Sequence, residues 1–213
     1  MVGVVGSSPI APTKFIAKTP PGAGFFVFFL RRAAGLCPWC AMLFRRLTRL
    51  PRAVVKPALP LEQTLILPMR VWPTDLNFGG HMDNVRYMAL MDLARSLWFT
   101  RTRLAKLTLA RKLATPVAAA QVRYRRELFF ADRFTLHTRL VYWDAKWFFL
   151  EQWFMRGEVM TTRALFKCAF VGRDGTLNPQ PLFDLLCSQP PAPPVMPLAV
   201  DALLASEAMQ RRG

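Results

Sequence analysis

The spacing of apolar positions changes texture along the chain. Residues 84–100 run without glycine or proline. Val85, Met88, Leu90, Met91, Leu93, Ala94, Leu97 and Trp98 are spread around most of a helical circumference there. That distribution predicts a largely buried helix. Beyond residue 111 the period drops to two. Residues 117–124 are one candidate strand. Phe134, Leu136, Leu140 and Tyr142 alternate with Thr135, His137, Arg139 and Val141 in a second, as a half-buried strand does. Residues 147–155 form a third, very aromatic run. In a fourth, Ala164, Phe166, Cys168 and Phe170 alternate with Leu165, Lys167, Ala169 and Val171. Residues 144–146, Arg156-Gly157 and Asp174-Gly175 supply the turns.

Upstream, residues 63–72 are apolar, end in Arg70-Val71-Trp72 and predict a strand. Residues 73–80 have loop composition. The order is strand, loop, buried helix, then long antiparallel strands. It predicts an α+β architecture, a curled antiparallel sheet wrapped around one long buried helix. A free sheet edge is most easily capped by a second copy, so a homodimer or a higher homo-oligomer is expected.

Residues 61–186 are expected to form this domain. Residues 42–55, MLFRRLTRLPRAVV, read as a basic amphipathic helix ending near Pro51, with a linker to residue 60. Such a helix either lies on an acidic membrane surface or packs on the domain. Residues 187–213 form a proline-rich tail with a short terminal helix. Residues 1–41 contain no acidic residue and read as disordered or as an extension from a start codon assigned too far upstream, with Met42 a candidate start. The apolar run 24–30 is far shorter than the roughly 20 residues a bilayer span needs, and its arginines follow rather than precede it. Neither export nor a spanning helix is predicted, which places the protein in the cytoplasm with possible peripheral membrane contact through residues 42–55.

Charge widens the set of partners. The net charge of +16 attracts nucleic acid, acidic lipid or phosphate-bearing ligands. The arginines and lysines are scattered, and the aromatics fall in strand and helix cores, so nucleic acid is not the expected partner. Cys37 and Cys40 form a CxxC without a second pair, and His81 and His137 are the only histidines. No metal and no cofactor are implied.

The chemistry concentrates in residues 70–95, RVWPTDLNFGGHMDNVRYMALMDLAR. A glycine-bearing loop running into a buried helix offers backbone N–H donors for a developing oxyanion. A carboxylate or histidine beside it attacks a carbonyl or activates water. The segment resembles the hot-dog thioesterase family, in which an Asp-x-Asp-x-Asn-Gly-His-Val/Met-Asn-Asn pattern precedes a Tyr and an xxARxxW helix. Asp75, Gly80, His81, Met82, Asn84, Tyr87, Ala94 and Arg95 match it. The nearest sub-group is the 4-hydroxybenzoyl-CoA thioesterase-like and bacterial acyl-CoA thioesterase-like proteins. The resemblance implies a hot-dog fold and a thioester of coenzyme A or acyl-carrier protein as ligand. Its usual catalytic acid falls on Asn77, which cannot act as a base. Asp75, His81 and Asp83 are then the candidate catalytic groups beside Asn77. Gly79, Gly80, Met82, Asn84, Tyr87 and Met91 are the candidate substrate contacts, with an acyl tunnel rich in Met88, Met91 and Trp98. Asp92 and Arg95 are expected to pair as a structural contact. Hydrolysis and non-catalytic thioester binding both stay open.

Overall fold

The computed structural model describes residues 38–186 and 195–210. Residues 1–37, with the 24–30 run and Cys37, lie outside the described residues, as do Cys187 and residues 188–194 and the Cys40 side chain. The first element is helix α1 (Pro38–Val55). Pro51 lies inside it instead of ending it. A proline lacks the N–H that would bond one turn back, so the last turn is held from outside. The Arg103 guanidinium donates to the carbonyls of Val54 (2.9 Å) and Lys56 (3.0 Å). Ala41, Met42, Arg45 and Ala53 are buried against the domain.

Strand β1 (Leu65–Arg70) and a 3-10 turn (Pro73–Asp75) lead to α2 (Asn84–Arg101), followed by α3 (Leu104–Ala110). Strands β2 (Val117–Tyr124), β3 (Arg133–Trp143), β4 (Phe148–Arg156) and β5 (Val159–Cys168) come next. A hairpin of β6 (Phe170–Gly172) and β7 (Gly175–Leu177), then α4 (Gln180–Asp184) and α5 (Leu198–Gln210), complete the order. Five strands make one sheet in the order β1-β3-β4-β5-β2, with every pairing antiparallel.

The inner face of the sheet packs on α2. Leu90, Met91, Leu93, Ala94, Leu97 and Trp98 meet Phe134, Leu136, Phe148, Leu150, Phe154 and Phe166 in one core. Val85, in the first turn of α2, is 71% exposed, because the packed stretch of the helix begins at Tyr87. One polar knot crosses the core. Gln152 donates to the Met91 carbonyl (3.0 Å) and to the Thr138 hydroxyl (2.8 Å), and accepts from Arg95 (3.1 Å). Arg95 pairs with Asp92 (3.2 Å) and lies over the Phe166 ring.

The alternation of β3 breaks where its register with β4 shifts, between Leu140 and Tyr142. One inserted residue reverses the faces downstream. Trp143 therefore points inward, and Tyr142 joins an outer cluster with Phe149 and Leu165. Val200 and Leu203 of α5 close that cluster, so the terminal helix covers part of the outer sheet face.

Candidate functional site

Between β1 and α2 the chain makes a tight hairpin. Leu76 and Met82 pair across it, Asn77 N donates to His81 O (2.9 Å), and Gly80 N donates to Asn77 O (3.1 Å). The Asn77 side-chain oxygen accepts from Gly79 N (2.9 Å). That bond turns the Asn77 NH₂ group to the His81 imidazole, 3.3 Å from either ring nitrogen. The two glycines have separate reasons. A Cβ on Gly79 would meet His81 Nε2 at 3.1 Å, and Gly80 has φ +80, in the left-handed region where side chains are strained.

A carboxylate from elsewhere completes the group. Met82 N donates to Leu128 O (2.8 Å), and His81 bridges to Phe129, which draws the loop after β2 alongside. Glu127 is thereby set with Oε1 at 3.7 Å from His81 Nε2. Both side chains keep solvent access, His81 at 33% and Glu127 at 46% exposed. Sequence reasoning missed Glu127. Its one signal was that it is the single acidic residue between Asp92 and Asp132, set in an arginine-rich stretch. Tyr124, at the end of β2, also borders the site. Its hydroxyl is pushed up by burial and then by the Asp83 charge.

Asp75 has a different place from the one expected. It is buried and ion-paired with Arg45 of α1. Arg45 Nη2 lies 2.7 Å from Asp75 Oδ2, Nη1 lies 3.3 Å from Oδ1, and Trp72 N donates to Oδ2 (2.8 Å). Arg45 also donates to Arg70 O (3.2 Å) and lies 4.1 Å above the Trp72 ring. Both carboxylate oxygens are engaged, so Asp75 anchors the loop to α1 and to Trp72. Its carbonyl accepts from Asp83 N (2.9 Å), which ties the anchor to the start of α2.

Asp83 is the N-cap of α2, with Oδ1 accepting from Val85 N (2.8 Å). A carboxylate there satisfies an orphan amide and complements the helix dipole. Most amides that lead into the helix are already used. Those of Gly80, Asp83, Val85, Arg86 and Tyr87 donate within the loop and first turn, and that of Met82 donates to Leu128 O. Among the described residues, the amides of His81 and Asn84 remain without such a partner. Asn84 itself is exposed at the helix start.

The other candidate contacts fall in the core. Met82 is 2% exposed, Tyr87 3% and Met91 0%. Tyr87 packs edge-on against Tyr124 and Phe154, and burial pushes its hydroxyl up. Met91 and Trp98 have no surface to line a tunnel. A cavity of about 430 Å³ lies instead farther along α2, beside Asp92, Arg95, Ser96 and Phe99 and against Leu109, Leu113 and Val117. Asn84, Met88, Asp92 and Ser96 follow one another at four-residue steps and join the site to this cavity along one helix side. No group of three or more His, Cys, Asp or Glu residues among the described ones is placed to hold a metal.

A model of the thioesterase-like superfamily matches residues 71–204, well over half the chain. The chain belongs to the thioesterase-like superfamily. The match takes in the site loop, α2, strands β2 to β5 and the first half of α5, but neither α1 nor β1. Protein THEM6 of Danio rerio is 36% identical over 122 residues, 56% of this chain and 58% of that protein. The Xenopus laevis protein of that name is 40% identical over 85 residues, 40% of this chain and 41% of its own. The matched part thus spans 58% and 41% of the length of these two curated relatives. Solved structures share the hot-dog fold at low identity. The probable thioesterase YbaW of Escherichia coli superposes with TM-score 0.54 and 18% identity, over 57% of this chain and 95% of that one. An aspartate-to-asparagine mutant of 4-hydroxybenzoyl-CoA thioesterase, complexed with 4-hydroxybenzoyl-CoA, gives TM-score 0.53 and 19% identity, over 59% and 99%.

Proposed function

We propose that this member of the superfamily hydrolyses acyl thioesters of coenzyme A or acyl-carrier protein, with His81 and Glu127 supplying the base that Asn77 cannot. The observation that carries the reading is the Asn77–His81–Glu127 group at the mouth of α2, next to the unpartnered amides of His81 and Asn84. Glu127 takes a proton from a water bound beside it and His81, and that water oxygen attacks the thioester carbonyl carbon. The two amides donate to the oxyanion. The C–S bond breaks as the carbonyl re-forms, and the proton held by Glu127 passes to the leaving thiolate. The Asn77 amide lies against the imidazole, 3.3 Å from each ring nitrogen. The Phe99, Leu109, Leu113 and Val117 wall of the cavity fits an apolar acyl chain, and the surplus of basic residues fits the carrier's phosphates.

A homodimer belongs to this proposal. Strand β2 is an edge strand with exposed residues along most of its length, and Val85, Tyr124, Phe129 and Phe130 are exposed around the same end. A second copy would pair that edge.

Release of free thiol from acyl-CoAs of several chain lengths tests the reading. Turnover that drops about 100-fold or more in His81→Ala supports it, the range for loss of a general acid–base group. A second reading, thioester binding without turnover, is favoured by the amide at position 77. Saturable acyl-CoA binding by calorimetry with no thiol released would establish it instead.

A further inference from the structure

Helix α1 has two faces with opposite tasks. One packs on the domain through Ala41, Met42, Arg45 and Ala53. The other carries Leu43, Phe44, Leu47, Val54 and Val55, each between 55% and 86% exposed. Leu43, Leu47, Pro51 and Val54 recur at i, i+4, i+8 and i+11, and Phe44 and Val55 broaden the stripe. From Leu43 to Val55 it is about 18 Å long at the α-helical rise per residue. A contiguous apolar stripe of this kind marks an interaction surface rather than scattered exposure.

The flanks are basic. Arg46, Arg49 and Arg52 lie on the helix and Lys56 follows it. Arg46 pairs with Asp92, while Arg49 donates only to the carbonyl of Pro68. Arg52 and Lys56 make no ion pair among the described residues. Arg49 is turned toward the domain, where burial and then the charges of Arg45 and Arg52 lower its guanidinium, so Arg52 and Lys56 carry the free charge of the flank. An occupant must therefore offer apolar depth and negative charge together. A second copy would set the same arginine rows against each other. The chain's own first 37 residues contain no acid to complement them. We infer that α1 lies in the plane of an anionic lipid surface, with Leu43, Phe44, Leu47, Val54 and Val55 sunk between the headgroups and Arg52 and Lys56 against the lipid phosphates.

The physics is that of an interfacial amphipathic helix, in which buried apolar area and attraction to anionic lipid add. No described helix is long and apolar enough to cross a membrane. The inference stands on the two faces of α1 and is independent of the thioester reading. If the protein hydrolyses nothing, it is untouched.

Flotation of the full chain with lipid vesicles tests it. Binding is expected to phosphatidylcholine vesicles that carry phosphatidylglycerol, to weaken in high salt, and to be weak on phosphatidylcholine alone. The triple variant Leu43→Gln/Leu47→Gln/Val55→Gln changes exposed side chains and should abolish flotation at an unchanged melting temperature. The double variant Arg52→Gln/Lys56→Gln keeps the apolar stripe and should weaken binding by about five-fold per charge removed. Equal binding to both vesicle types overturns the inference. So does binding that survives the triple variant, or a triple variant whose effect is on self-association measured without lipid.

Discussion

Replacing Arg45 by Met tests whether α1 is part of the machinery that fixes the site loop. In the native protein the Arg45–Asp75 pair is almost dry, with side chains 6% and 2% exposed. Arg45→Met keeps an unbranched stem of similar bulk but removes the charge. Asp75 is then left buried with the Trp72 N–H as its remaining donor. Removing one partner of a buried pair costs about 3–5 kcal/mol, because the other charge stays desolvated and uncompensated. Loss of the guanidinium above the Trp72 ring adds to it. Domains are stable by about 5–15 kcal/mol, so the variant should fold but lose a large share of its margin. Urea unfolding followed by tryptophan fluorescence reads this directly. With a slope of about 2 kcal/mol per molar, the midpoint should fall by about 1.5–2.5 M. The double variant Arg45→Met/Asp75→Asn removes the stranded charge and should recover about half of the loss or more. A loss below about 1 kcal/mol, the worth of an exposed pair, would refute the reasoning. Strictly additive losses in the double variant would refute it as well.

Other outcomes follow from single side chains. Asp83→Ala should cost about 1 kcal/mol through the lost cap on Val85 N, whereas Asp83→Asn should cost much less, which thermal melts will separate. Burial pushes the Cys168 thiol up to about 12, against a smaller opposing pull from Arg95. Mass spectrometry after alkylation at pH 8 should find Cys168 unmodified in the native protein and labelled in urea. Burial lowers the His137 imidazole. The unfolded chain therefore binds the proton more tightly, and stability should fall as pH drops below about 6.5. His137→Gln should flatten that part of the stability profile.

Much of the fold was legible because local signals agreed. The long helix was visible from residue 84 because its cap, its apolar spread and its freedom from glycine and proline point the same way, and α2 begins at Asn84. Strand alternation revealed β4 and β5, which carry no register shift across their middle. The sequence misled wherever a distant residue intervened. Arg103 holds α1 past Pro51 across 49 residues, and Arg45 pairs with Asp75 across 30. The β3 bulge moved Tyr142 to the outer face with no compositional warning. In the site, Asn77, His81 and Asp83 could be picked out because they are close in sequence. Glu127 could not, since the pairing of residues 81–82 with 128–129 is what delivers it. The cavity likewise gathers residues of α1, α2, α3, β2 and β5, a grouping no local window contains.

The central claim is that a carboxylate outside the sequence motif does the work of the missing aspartate. Measuring kcat/KM for the best acyl-CoA substrate in Glu127→Gln and Asp83→Asn, side by side, tests it most directly. The account predicts a fall of about 100-fold or more in Glu127→Gln, and a change of less than about ten-fold in Asp83→Asn, which keeps the cap geometry. Near-normal turnover in Glu127→Gln with collapse in Asp83→Asn would contradict it and make Asp83 the base.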